Sequence, residues 1–137
     1  GMHHSTAKFL LWKYENYLEN QGKNGYSLTR FDSIESPELE HIAPQTPTNG
    51  EPIAAGYCEY DEEFRNQYID CLGNYLLLSK SHNCSVGNRP FSEKRSSYNH
   101  LGQQREIQNM TSDSEIWNKD KISLRKDKIV KYILENF

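Results

Sequence analysis

Residues 72–83 read LGNYLLLSKSHN, an apolar run between two asparagines. The run over 75–78 is too short and too uniformly apolar for a surface helix, so it predicts a buried strand. A short helix is predicted after it, over 81–85. Upstream, residues 38–42 predict a second short strand that ends beside His41. These two strands and one helix form the predicted centre of the fold.

The remaining segments predict helices around this centre. An amphipathic pattern at spacings of three and four indicates a helix over 5–20, and a turn-rich connection is predicted over 20–29. Further helices are predicted from Asp61 to a stop at Gly73, over 90–100 and over 119–135, whereas 101–114 gives no clear signal. The last helix is predicted to face inward with Ile122, Ile129, Tyr132, Ile133 and Leu134. The fold class is therefore α+β and mostly helical.

Length and composition set the scale and the class of protein. A chain of 137 residues is the size of one domain, and its 26% charged and 35% hydrophobic residues fit a polar, folded domain. No apolar run is long enough to span a membrane. Residues 1–79 hold 5 basic and 12 acidic side chains, a net −7, while 80–137 hold 11 and 7, a net +4. The basic half could bind phosphate, or it could be an uneven spread of solvated charges.

The three cysteines argue against a structural metal site. Cys58, Cys71 and Cys84 are each thirteen residues apart and form no close pair of the kind that holds zinc. We predict reduced thiols and a cytoplasmic protein. Gly1 ahead of Met2 is typical of a tag remnant and indicates a domain excised from a longer protein.

A carboxylate, an imidazole and an amide suit phosphodiester hydrolysis with one metal ion. His41 is the predicted base, because its ordinary pKa of about 6.5 leaves it mostly neutral at cellular pH. Glu40 and Asn83 are the predicted oxygen ligands of one Mg²⁺ or Mn²⁺. Asn74 is assigned to the catalytic centre in a structural role, tying the loop between strand and helix.

Strand geometry raises an objection to this arrangement. Neighbours on a strand point to opposite faces, so Glu40 and His41 share one site only if the ion and the water lie on different sides of the phosphate, or if the strand is irregular. Each residue also has an ordinary structural interpretation. His41 could be a structural histidine, Asn74 a turn residue and Asn83 a helix cap.

Four cations are candidates for contact with a nucleic-acid backbone. Lys94 and Arg95 are the stronger candidates, and Lys80 and Arg89 are the weaker ones. The competing interpretation of each is a solvated surface charge.

These segments resemble a known family. The pieces EHIAPQ (40–45), LGNYLLLS (72–79), Asn83, PFSEK (90–94) and Trp117 with Ile122 and Arg125 resemble the HNH, or His-Me finger, nucleases. The resemblance is greatest to the C-terminal domain of GmrSD-type restriction endonucleases, and KFLLWKYENYL (8–18) resembles the helix that leads into it. The resemblance implies a ββα-metal core with flanking helices. It also implies His41 as the base, Glu40 and Asn83 as metal ligands, Asn74 as structural and Lys94 as a phosphate contact.

The same resemblance implies a biological setting and an organisation. We expect a single HNH-type domain over 1–137, with a leading helix in 1–25, the ββα-metal core in 38–88 and a helical part in 89–137. A ParB-like nucleotide-binding domain is expected to precede it in the full-length bacterial protein, with DNA as substrate and phage restriction as the role. The loop 46–60 and His82 depart from the family pattern.

Two other functions stay open at this point. The chain could bind nucleic acid without cutting it, or it could be a protein-interaction domain that serves its N-terminal partner. Salt-sensitive binding without cleavage would indicate the first, and the absence of both metal and DNA binding would indicate the second.

Overall fold

A computed structural model describes residues 3–20, 37–47 and 51–137 of the chain. In chain order the elements are α1 (His4–Glu19), β1 (Glu38–His41), α2 (Glu62–Gln67), a 3-10 turn (Leu72–Asn74), β2 (Tyr75–Leu78), α3 (Lys80–Val86), α4 (Phe91–Ser97), α5 (Gly102–Met110) and α6 (Lys119–Asn136). The prediction of an α+β, mostly helical domain is confirmed.

The two strands form an antiparallel pair with His41 opposite Tyr75 and Glu38 opposite Leu78. Helix α3 follows β2 directly and contacts β1, so the described residues contain strand, strand and helix in the predicted order. A cap explains where α3 begins, because the Ser79 hydroxyl accepts from the His82 amide at 3.2 Å. The metal core implied by the resemblance stays a prediction.

The strand pair separates two apolar clusters. One face packs Leu76 and Leu78 with Phe64, Phe91 and Trp117. The opposite face presents Tyr75 and Leu77 to α1 and α6. Because β2 is apolar on both faces, all four of its residues are buried.

The structure corrects one predicted helix end and one predicted core residue, and it resolves one stretch that the sequence left ambiguous. Helix α2 ends at Gln67, well before Gly73, and a 3-10 turn follows. The ambiguous stretch 101–114 contains helix α5. Leu134 is 76% exposed and does not face the core, whereas Ile122 and Ile129 do. The turn predicted over 20–29 lies almost wholly outside the described residues.

The cysteines and the helices bear on two expectations drawn from the sequence. All three cysteines are free thiols, with Cys84 exposed and the other two half-buried. None of the helices in the described ranges combines the length and the apolar character that crossing a bilayer demands.

Candidate active site

His41 ends β1, and a buried lysine from α4 holds its backbone. Nζ of Lys94 donates to the carbonyl oxygens of His41 and Ile42, each at 3.0 Å. Lys94 has no exposed surface. Because a charged donor forms stronger hydrogen bonds than a neutral one, this contact fixes the chain where β1 ends. It therefore sets the point from which the His41 side chain projects.

The imidazole of His41 contacts an acid and an aromatic ring. Its Nε2 lies 2.8 Å from Oδ1 of Asp70, and its ring meets the Tyr75 ring edge-on at 5.0 Å. The hydroxyl of Tyr75 donates to the same Asp70 oxygen at 3.2 Å. The hydrogen bond with His41 lowers the pKa of the Asp70 carboxyl below its usual value. Asp70 is therefore ionised at neutral pH and accepts both hydrogen bonds.

Glu40 points to the other face of β1, into the interior. Its carboxylate is 2% exposed, accepts a short hydrogen bond from the Tyr98 hydroxyl, and lies 3.2 Å from Nζ of Lys94. Oε1 has no directed hydrogen bond, so the contact with Lys94 is an ion pair. Burial raises the pKa of Glu40, and the charge of Lys94 opposes that shift. Burial likewise lowers the pKa of Lys94.

Asn74 is fully buried, and its amide is saturated. Its Nδ2 donates to the carbonyls of Ala43 at 3.0 Å and Ile69 at 2.9 Å. Its Oδ1 accepts from the Ala43 amide at 2.9 Å and from the Trp117 indole at 3.0 Å. The side chain thus joins the chain after β1 to the chain before β2. This is the geometry that a structural role requires, and it holds Asp70 beside His41 through Ile69.

Asn83 lies on α3 and contacts a different acid from the one expected. Its Nδ2 donates to Oε2 of Glu38 at 2.8 Å. Glu38 and Glu40 share one face of β1, because they are two residues apart. His82, next to Asn83, bonds the Ser97 hydroxyl at 2.8 Å and packs against His100. The His82 side chain therefore contacts α4 through Ser97 and the segment after α4 through His100.

The four predicted phosphate contacts fall into two groups. Lys94 is buried, and its ammonium group is committed to backbone carbonyls and to Glu40, which is incompatible with a surface phosphate contact. Arg95 is mostly covered and donates to Thr111 and to the Gln108 carbonyl. Lys80 and Arg89 are exposed, so the weaker candidates are the accessible ones.

The structure does not bring the three predicted groups into one contact. Glu40 meets Lys94 and Tyr98, Asn83 meets Glu38, and His41 meets Asp70 on the opposite face of the strand. The objection from strand alternation thus applies to this conformation. In the described part of the chain, no three His, Cys, Asp or Glu side chains form a group that could hold a metal ion.

Sequence reasoning missed two acidic side chains at these contacts. Asp70 lies between α2 and β2. Its spacing of five residues from Tyr75 matches neither the strand period nor the helix period, so no pattern in the sequence linked the two residues. Glu38 begins β1, and its alternation with Glu40 could have placed both acids on one face. The pairing of Asp70 with His41 spans 29 residues and depends on the fold.

The comparisons with known proteins bear on the same residues. The family model described as the C-terminal domain of GmrSD restriction endonucleases matches residues 2–132, nearly the whole chain. The chain belongs to this family. No curated protein and no solved structure matches it.

Membership in the GmrSD C-terminal domain family confirms the resemblance drawn from the motifs. The matched region contains the side chains of the candidate site, from Glu38 on β1 to Trp117 before α6. The family gives the chain a role related to restriction endonucleases. In this GmrSD domain, the strand pair, Lys94 and Asn74 together fix the position of His41.

Proposed function

We propose that this domain is a metal-dependent endonuclease that hydrolyses DNA phosphodiester bonds in the restriction of phage DNA, with His41 as the base that activates water. The observation that carries the proposal is the pairing of His41 with an ionised carboxylate, within a chain that matches a restriction-endonuclease domain. An imidazole oriented by a hydrogen bond is a general base of known effectiveness. Lys80 and Arg89 are proposed to contact the DNA backbone, because they are the exposed members of the predicted set. A ParB-like domain is proposed to precede this one in the full-length protein.

The proposed cation is Mg²⁺ or Mn²⁺, which would supply positive charge for the phosphate and the leaving oxygen. The predicted ligands Glu40 and Asn83 do not fit such an ion in their present contacts. For both side chains to bind one ion, Glu40 would have to leave its ion pair with Lys94, and Asn83 would have to give up its hydrogen bond to Glu38. No step of the reaction is therefore assigned to the ion, and metal dependence is a property to be measured.

The test is nicking of supercoiled plasmid by the domain with Mg²⁺, with Mn²⁺ and with a chelator. We expect cleavage with a divalent ion, and a loss of about 10²- to 10⁴-fold in rate for His41→Ala, because the base is removed. His100→Ala is the matched control, since His100 is an exposed histidine outside this site. Circular dichroism checks that both variants keep the fold. If His41→Ala cuts as fast as the parent domain, His41 is not the base.

A second candidate function is binding of nucleic acid without cleavage. The burial of Glu40 against Lys94 favours it, because the predicted acidic ligand is already neutralised by a lysine. This alternative predicts DNA binding that weakens steeply with salt, and no cleavage with either ion.

A further inference from the structure

We infer that Asp70 is a positioning residue for His41: its carboxylate holds the proton of the imidazole on Nε2, so that Nδ1 is the nitrogen that accepts a proton from water. This inference rests on the proposed function. It assigns a role to a residue that neither the motifs nor the family match singled out.

The first support is the direction of the hydrogen bond. An ionised carboxylate can only accept, so the hydrogen between Nε2 and Oδ1 of Asp70, 2.8 Å apart, belongs to Nε2. In the neutral imidazole the other nitrogen then carries the lone pair. Within the described residues, Nδ1 of His41 has no hydrogen-bond partner. Among the described residues, the basic nitrogen is thus the one that forms no hydrogen bond with the protein.

The second support is that Asp70 is itself held in place. The Tyr75 hydroxyl donates to Oδ1 of Asp70, the same oxygen that accepts the hydrogen bond from Nε2 of His41. The Tyr75 ring also packs edge-on against the His41 imidazole. Tyr75 is the register partner of His41 in the strand pair. On the other side, Asn74 bonds the carbonyl of Ile69, the residue before Asp70. Backbone pairing and side-chain bonds therefore fix both the ring and the acid.

The third support is the exposure of the pair. The His41 side chain is 17% exposed and the Asp70 side chain is 52% exposed, so the contact lies at the surface. A large substrate could approach such a pair, which would be impossible for the buried Glu40. The carboxylate would also stabilise the imidazolium that forms during the reaction, because the charge on Nε2–H faces an anion.

The chemical step balances with one water molecule, His41 and proton exchange with solvent. A water O–H bond breaks, its proton goes to Nδ1, and the oxygen keeps the electron pair and forms a bond to phosphorus. The bond from phosphorus to the leaving sugar oxygen breaks, and that oxygen takes a proton from solvent. The imidazolium returns its proton from Nδ1 to solvent. Throughout, Nε2 keeps its hydrogen and Asp70 stays ionised.

The experiment combines NMR of the imidazole with cleavage kinetics. In the ¹⁵N-histidine-labelled parent domain, we expect an Nε2–H signal of His41 that exchanges slowly with solvent. Asp127→Ala removes an exposed acid on α6 and serves as the control, so it should keep this signal. We expect Asp70→Ala to lose this signal and to lower kcat by about 10- to 100-fold, with KM unchanged. Asp70→Asn should recover part of the rate, since its amide oxygen can accept both bonds. Urea unfolding of each variant separates positioning from a loss of stability.

The two parts of the experiment fail in different ways. An Nε2–H that exchanges as slowly in Asp70→Ala as in the parent would overturn the inference. A full cleavage rate in Asp70→Ala, beside an inactive His41→Ala, would also overturn it. A parent domain that never cuts DNA contradicts the proposed function itself. In that case a protected Nε2–H would make the pair a structural contact, and the positioning role would be withdrawn.

Discussion

Lys94 shows, at the scale of single residues, how a lysine can be part of the interior. Its ammonium group donates hydrogen bonds to two carbonyls and forms an ion pair with one carboxylate. A buried charge is tolerated only when it is paired and hydrogen-bonded, and here both conditions hold. The residue therefore supports the end of β1 and cannot serve as a contact for substrate.

Replacing Lys94 should destabilise the domain strongly. Lys94→Met would leave Glu40 buried without its cation and two carbonyls without a donor, so we expect a loss of about 3–5 kcal/mol in the free energy of unfolding. Urea denaturation followed by circular dichroism measures it. Lys80→Met is the matched control, because Lys80 is exposed and should change stability by less than about 0.5 kcal/mol.

A double variant separates the pair from its surroundings. Lys94→Met with Glu40→Leu removes both charges, and it should recover part of the lost stability because an apolar pair can replace a buried ion pair. If Lys94→Met alone unfolds at the same urea concentration as the parent, the ion pair does not stabilise the fold.

Two elements approach closely at Gly73, in the 3-10 turn between α2 and β2. A Cβ at this position would lie 2.2 Å from the carbonyl oxygen of Ile122 and 2.8 Å from the amide nitrogen of Lys126, both on α6. Arg125 of the same helix donates to the Gly73 carbonyl at 3.0 Å and forms a short bond with that of Tyr75. Helix α6 thus packs directly on the backbone that leads into β2.

Gly73→Ala should displace α6 from this backbone. The clash involves backbone atoms, which cannot rotate away, so we expect a loss of about 1–3 kcal/mol in stability. A urea midpoint measures the loss, and the His41 ring signals report whether β2 moves. Unchanged stability in Gly73→Ala would show that α6 does not need this close approach. A control at Ala54, which is exposed, tests the effect of a similar change in size through Ala54→Ser.

The contact between α1 and α5 joins distant parts of the whole molecule. Glu15 of α1 accepts from the amides of Gly102 at 2.7 Å and Gln103 at 3.0 Å, which are unpaired N–H groups at the start of α5. Burial, reinforced by the hydrogen bond with Glu19, raises the pKa of Glu15 to about 7, although the amides oppose the shift. A carboxyl from the first helix therefore caps a helix that begins 87 residues later.

This contact predicts a dependence of stability on pH. The pKa of Glu15 in the folded state lies above its value of 4.5 in a model compound. Its stabilising contribution is therefore fully present below about pH 4.5 and is lost as the pH rises through about 7. We expect the free energy of unfolding of the parent to fall between about pH 4.5 and pH 7. The free energy of unfolding of Glu15→Gln should fall by less over the same interval. Urea midpoints at several pH values measure both, with Glu59→Gln, an exposed acid, as the control. Equal slopes for the parent and Glu15→Gln would contradict the assignment.

Local patterns in the sequence were enough to predict most of the elements. The apolar run 75–78 predicted β2, and the short helix predicted over 81–85 lies within α3. Helix α5 was missed because two of its three buried residues are glutamines, and only Ile107 is apolar. Gln103 and Gln104 face inward to bond the amide and the carbonyl of Leu77. Hydrophobic periodicity cannot detect a helix whose inward-facing side chains are polar and form hydrogen bonds with the backbone of a strand.

The sequence by itself determined the order of strand, strand and helix and the family, because these depend on local patterning and on motifs. It also identified His41, Asn74 and Asn83 as residues of interest. Only the tertiary structure decided their partners. Glu40 is paired with Lys94, Asn83 with Glu38 and His41 with Asp70, across separations of 29 to 54 residues. The physical reason is that burial and hydrogen-bond saturation depend on which groups the fold brings together, and spacing along the chain does not carry that information.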